Sequence, residues 1–292
     1  MEKQINAETR VQLIKAQKEE ITAHYIYSRL ARQTKNKKNS EVLQQIANDE
    51  LRHYNLWHSY TGEVVSPSRL KIWRYFWISR IFGLTFGLKL MEKEEDKSQT
   101  DYARIATEIP DALVLAQEED EHENVLISMI EEEHLQYMGS IVLGLNDALI
   151  EILGTLAGLT FALQNTKLVA LAGTITGIAG ALSMASSEYL SSKTEGKTVE
   201  AVKSAIFTGI AYVFAVIFLI APYLVFHSPF IALLVALTDS LLIVFLFTFY
   251  LSVTNDQPFG KRFTEMAVIS IGVGLVSFGL GYLARILFGI EV

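Results

Sequence analysis

The chain contains no cysteine. Disulfide staples, thiolate metal sites and cysteine nucleophiles are therefore excluded. Only five prolines interrupt its 292 residues, so long helices are permitted nearly everywhere. Basic residues are outnumbered: 25 Lys and Arg stand against 32 Asp and Glu, for a net charge of −7. A nucleic-acid partner usually demands a basic face, so nucleic acid is not expected as a partner. The opening stretch MEKQINAETRVQLIKAQKEE lacks an apolar core. It does not read as a signal peptide, and the polar N-terminal half is expected to stay on the side where it is made.

Half of the residues are apolar, but they are unevenly spread. Up to about residue 136 the chain is rich in Glu, Lys and Arg; beyond it charge becomes scarce. The expected organisation is an all-α protein with a polar domain over 1–136 and a helical membrane domain over 137–292. Five apolar segments follow one another at 139–163, 168–190, 204–226, 229–253 and 266–289. Each provides the roughly 20 residues that a spanning helix needs. Lys193, Lys197 and Lys203 mark the second-to-third connection, and Lys261 and Arg262 the fourth-to-fifth. The first-to-second connection has Lys167 alone and the third-to-fourth has none. Basic loops favour the cytoplasmic side, so the N-terminal domain is expected there, with the C-terminus outside. Small-residue pairs such as Gly154 and Gly158, or Gly173 and Gly177, favour close helix packing. Arg285, near the outer end of the last span, is expected to snorkel.

The polar half reads as four helices, about 7–34, 39–61, 70–107 and 111–136, with Asn39 and Ser40 as caps of the second. These suggest an antiparallel bundle. Glu50-x-x-His53 falls on the second helix and Glu119-x-x-His122 on the fourth. Residues three apart share a helix face, so each pair can direct one oxygen and one nitrogen to one point. Glu20 precedes Tyr27 by seven residues, as Glu95 precedes Tyr102. Two Glu-x-x-His helices and two Glu helices compose a carboxylate-bridged two-metal site. Such ligands suit iron or manganese. Glu92 and Glu94 are alternatives to Glu95 as the third-helix ligand. Glu131-x-x-His134 repeats the motif near the membrane entry, where a solvated face is expected. His24 and His58 have no partner at ligand spacing.

Glu20, Tyr27, Glu50, His53, Glu95, Tyr102, Glu119 and His122 resemble the erythrin or rubrerythrin type of ferritin-like four-helix bundle. The resemblance covers about residues 8–136. It implies a di-iron centre that oxidises Fe(II) with oxygen or peroxide, hence a ferroxidase or peroxidase activity. The rubredoxin tail of rubrerythrins requires cysteines, which this chain lacks.

The membrane half carries its own puzzle. GLNDALIEIL, residues 144–153, opens a span yet contains Asp147 and Glu151. A carboxylate at the bilayer centre costs about 2.5 kcal/mol or more, and such groups tend to mark ion or proton routes. Met184 and Glu188 share a face of the second span, and Asp239 lies within the fourth. Oxygen ligands attract a divalent cation, and a thioether disfavours Mg(II) and Ca(II). The expected ion ligands are Asp147, Met184 and Glu188, with Glu151 passing protons and Asp239 a further candidate. The runs GLNDALIEILGTLAGL and AGTITGIAGALSMASSEYLSSKTE resemble the first two spans of the vacuolar iron transporter family. The resemblance extends over about 137–292 and implies a homodimer that moves Fe(II), and often Mn(II), out of the cytosol against protons. Plant members carry a metal-collecting insert between the second and third spans. Only SSKTEGKTVEAVKS stands there in this chain. The combination resembles membrane-bound ferritin proteins of prokaryotes, which implies a multi-pass protein of a prokaryotic cell membrane. A membrane-anchored di-iron oxidase without transport is the competing expectation.

Residues 71–90, KIWRYFWISRIFGLTFGLKL, mix Trp, Phe and Ile with Arg74, Arg80 and Lys89. A central Arg argues against a sixth span. A helix at the membrane surface, burial in the bundle and a dimer contact all remain open.

Overall fold

The computed structural model describes residues 6–97, 105–106, 108–115, 130, 133–194, 196 and 198–288. Side chains are described for all of these except 95–97, 133–134, 198–199 and 288. Among the described residues the regular structure is entirely helical. The chain divides into two compact units, residues 1–132 and 133–292, four residues short of the boundary that charge distribution predicts.

In the first unit, α1 (Ala7–Gln33) and α2 (Lys37–Thr61) are joined by only three residues and pack against each other along their lengths. Asn6 caps α1 by accepting from the Thr9 N–H at 2.8 Å. Asn36, not Asn39 or Ser40, caps α2, accepting from the Asn39 N–H at 3.2 Å. Asn39 is itself buried. The helix therefore begins two residues earlier than expected, because the caps satisfy the first orphan N–H groups.

The expected third helix over 70–107 is interrupted. It forms α3 (Arg69–Phe82) and α4 (Leu84–Lys97), which break at Gly83. Gly83 has φ 101° and ψ 155°, a conformation essentially reserved for glycine. The break folds α4 back on α3, and Gly87 comes so near Ser79 that a side chain at Gly87 would collide with it. Of the expected fourth helix, 111–115 and 133–136 are helical; 116–129 lie outside the described residues.

Two apolar clusters hold this unit. One joins Ala23, Ile26, Tyr27 and Leu30 of α1 to Leu43 and Ile46 of α2 and to Tyr75, Phe76, Leu88 and Met91. The other joins Leu13, Ala16 and Trp57 to Ile105, Ile109, Ala112 and Leu115. Each large aliphatic side chain so buried contributes about 1.5–3 kcal/mol of transfer free energy. In sequence, Glu20 falls between Ala16 of one cluster and Ala23 of the other.

The second unit comprises α5 (Met138–Leu163), α6 (Thr166–Thr194), α7 (Thr198–Val225), α8 (Pro229–Thr254) and α9 (Phe259–Phe288). Among the described residues these five helices are long and apolar enough to cross a membrane. All five expected spans are present, but α7 and α9 begin six or seven residues early. Helix starts follow backbone geometry rather than apolarity. Pro258 ends the preceding turn, and the first turns of α9 are polar, with Arg262 3.7 Å from Glu265. Pro229 opens α8 at a position where its missing N–H costs nothing.

The most buried of the five, α5, touches all four others. Its residues Leu145, Ala148, Leu149, Ile152 and Leu156 anchor one core with Tyr212, Leu219 and Val244. Large apolar side chains such as Ile175, Ile178, Leu182, Leu234 and Leu275 face outward. That much exposed hydrocarbon fits lipid as the surrounding solvent.

Candidate metal centre and membrane carboxylates

The first unit brings Glu20, Glu50 and His53 together. Each can offer a ligand atom such that all three lie within 4.8 Å of one another. Glu20 comes from α1; Glu50 and His53 come from one face of α2, as their three-residue spacing requires. All three are buried. His53 Nδ1 stands 3.7 Å from Glu20 Oε2. Trp57, one turn beyond His53, donates its indole N–H to Glu20 Oε1 at 3.2 Å. Burial works to raise the pKa of Glu20. The hydrogen bonds with His53 and Glu50, the His53 charge and the Trp57 N–H outweigh it and hold the carboxyl below its usual value.

Below this cluster on α1, Gln17 is fully buried and hydrogen-bonded through both ends of its amide. Its amide donates to the Glu63 carbonyl at 2.8 Å and it accepts from the Thr61 hydroxyl at 2.7 Å. Burying two carboxylates and an imidazole at one point costs several kcal/mol per charge unless something compensates. A divalent cation bound by oxygen and imidazole nitrogen would do so, and the donor set fits iron or manganese.

The other expected ligands divide differently. Glu92, half-buried on α4, accepts from the Tyr27 hydroxyl at 3.0 Å. Glu94 is exposed and held by Arg74 and Tyr75. The side chain of Glu95, and all of Tyr102, Glu119 and His122, lie outside the described residues, as do Glu131 and the His134 side chain. His24 donates through Nδ1 to the Ala47 carbonyl at 2.6 Å, and His58 through Nδ1 to the Glu63 carbonyl at 2.8 Å.

In the second unit the carboxylates meet α5, α6 and α7. Ser140, Gly144, Asp147 and Glu151 recur along α5 at spacings of four, three and four, and so share one face. At Gly144 the backbone approaches the Thr208 carbonyl of α7 too closely to admit any side chain. One turn on, Tyr212 donates its hydroxyl to Glu151 Oε2 at 2.6 Å. Gly180 of α6 closes over this pair; a Cβ there would strike the Tyr212 hydroxyl oxygen and lie 3.0 Å from Glu151 Oε2. Gly173, Gly177, Gly180, Met184 and Glu188 continue a single stripe down α6. Met184 packs against the apolar core, and Glu188 Oε1 accepts from Ser140 Oγ at 2.8 Å. The end of α6 thus meets the start of α5, as an antiparallel pair requires. Ser140 in turn gives its carbonyl to the Thr208 hydroxyl at 3.1 Å.

Asp147 is half-buried, and Glu151 is exposed on the single chain apart from its bond to Tyr212. Asp239 is half-buried on α8, beside the buried Ser240, and does not enter the bonds that join α5, α6 and α7. Sequence reasoning did not single out Ser140, Thr208 or Tyr212. The signal was present: Thr208 and Tyr212 are hydroxyl side chains four residues apart in an otherwise apolar run.

The VIT family model matches residues 138–202. This stretch holds α5, α6 and the start of α7, and therefore Asp147, Glu151, Met184 and Glu188. No curated protein and no solved structure matches the chain.

Proposed function

We propose that the protein is a metal-ion transporter that exports Fe(II), and also Mn(II), from the cytosol in exchange for protons. The observation that carries this reading is the carboxylate face of α5, flanked by the glycine stripe of α6 and bonded by Tyr212 of α7, with the carboxylates inside the stretch that the VIT family model matches. Asp147, Met184 and Glu188 bind the travelling ion, with Ser140 orienting Glu188. Metal ligands must be deprotonated to bind. Protonation of these carboxylates therefore releases the ion, and Glu151 passes the proton, its carboxylate oriented by Tyr212. Asp239 on α8 serves as a further polar step for the ion.

The first unit is a cytosolic ferritin-like domain that captures, senses or oxidises iron before export. Glu20, Glu50 and His53, which lie close enough to share an ion, would hold one part of a di-iron centre. Glu119, His122 and Glu95, with Glu92 as the alternative, would complete it. When bound, the metal pair supplies redox chemistry toward oxygen or peroxide. The chain's own residues would position it: Trp57 fixes one oxygen of Glu20, and the burial of Glu20, Glu50 and His53 keeps water away from them. The protein acts as a homodimer in a prokaryotic cell membrane.

Asp147→Ala in proteoliposomes under a pH gradient tests this reading. Fe(II) flux is expected to disappear while the metal content of the purified protein persists. Unchanged flux refutes the transport assignment. A second reading has one observation in its favour, the compact triad Glu20, Glu50 and His53 lying in the first unit. It makes the chain a membrane-anchored di-iron oxidase or peroxidase, and it predicts oxygen consumption without flux in the same vesicles.

A further inference from the structure

The face that α3 turns to solvent is apolar and aromatic, which inverts the usual pattern. A helix that packs on a core normally exposes its polar side. Tyr75, Phe76 and Ser79 are the buried side of α3. On the opposite side stand Leu70 at 75%, Trp73 at 58%, Trp77 at 45% and Ile81 at 68% exposure, spaced three or four apart in a continuous stripe. Exposed Arg69 and Arg80 flank this stripe, and Phe82 extends it at 49% exposure. Between Glu63 and Glu92 the sequence has five basic residues and no acidic one, although the chain as a whole is acidic.

We infer that this face of α3 lies on the bilayer surface, with Trp73 and Trp77 at the headgroup level and Arg69 and Arg80 against anionic headgroups. Aromatic rings beside basic side chains are the composition of interfacial helices. The charge is complementary to anionic lipid. The same chain enters its spans at Met138, so a bilayer is always within reach of the first unit's tether. A second copy of the chain fits less well. Pairing this face with itself would set the basic flanks of one copy against those of the other, which is unfavourable. The inference rests on α5–α9 crossing a membrane and not on what they transport.

The chain's three tryptophans make the test direct. Trp73 and Trp77 lie on this face, Trp57 is fully buried, and no tryptophan lies in the spans. The full chain is reconstituted in vesicles of phosphatidylcholine and phosphatidylglycerol, with or without bromine on the acyl chains. Brominated lipid is expected to remove most of the wild-type emission attributable to Trp73 and Trp77. It should act most strongly with bromines placed shallowly, since interfacial helices sit about 5–10 Å into the headgroup boundary. The W73F/W77F variant retains buried Trp57 and is expected to lose little emission. R69Q/R80Q, or wild type in vesicles without the anionic lipid, is expected to be quenched less. Wild-type quenching no greater than that of W73F/W77F overturns the inference. So does an unquenched emission that shifts to the blue as the protein-to-lipid ratio rises, which would assign the face to a second copy. Quenching unaffected by both R69Q/R80Q and the removal of anionic lipid overturns the headgroup contact.

Discussion

Tyr212 of α7 donates its hydroxyl to Glu151 of α5 at 2.6 Å, directly beneath the backbone of Gly180 of α6. One hydrogen bond thus joins α5 to α7 at the carboxylate face, where α6 packs close against both. It also explains how a glutamate can be kept within an apolar span: a donor meets it there, where water would otherwise be needed.

That bond predicts a coupled phenotype. A hydrogen bond to a charged group contributes about 1.5–3 kcal/mol, equivalent to roughly tenfold or more in an equilibrium constant. Tyr212→Phe should therefore slow Fe(II) flux in proteoliposomes by about tenfold. Because the hydroxyl acts through Glu151, Y212F/E151Q should transport no worse than E151Q alone. Full additivity of the two losses would show that Tyr212 acts elsewhere.

Trp57 makes a parallel prediction in the first unit. Its N–H orients Glu20, one of the three clustered groups. Partners that orient a metal ligand typically change metal affinity by roughly 10–100-fold when removed. Trp57→Phe keeps an aromatic ring, though a smaller one, in the apolar cluster and deletes the donor. Fe(II) or Mn(II) titration of the purified full chain should show affinity weakened by that factor, with helical content unchanged. An unaltered titration would mean that Glu20 does not bind the metal.

Gly83 carries the break between α3 and α4. A non-glycine residue in its backbone region costs of order 1–3 kcal/mol. Gly83→Ala should lower the thermal midpoint of the first unit, followed through buried Trp57 in a W73F/W77F background. A midpoint equal to that of the parent would show that the two helices tolerate a continuous path.

The same residue shows what can and cannot be read from a sequence. Glu50-x-x-His53 was legible because three-residue spacing fixes a helical face whatever surrounds it. The five spans were legible because lipid requires long apolar runs. The break at Gly83 was not, since a single glycine is tolerated inside helices and only its φ of 101° decides. Trp57 was not legible as a partner of Glu20 either: 37 residues separate them, and only tertiary packing makes them neighbours. The pairing of Tyr212 with Glu151, 61 residues apart, has the same origin. Local geometry announces which side chains share a face; the groups that orient them come from elsewhere in the chain.

Glu94 provides a prediction in pH. It sits on α4 and takes hydrogen bonds from Arg74 and Tyr75 of α3, closing the helical hairpin. Partial burial would raise its pKa, but Tyr75 and Arg74 together hold it below the ordinary 4.5. A carboxylate whose folded pKa is depressed adds stability above its unfolded value and loses it as pH falls through the folded one. The group is 45% exposed, so solvent screening keeps the gain small, about 1 kcal/mol or less. Glu94→Gln should therefore unfold slightly more readily than wild type at pH 7. The two should converge as pH drops below 4.5, where the wild-type carboxylate also loses its charge. Denaturation midpoints across this range decide the matter: a gap that persists in acid would assign the effect of Glu94 to packing and not to its charge.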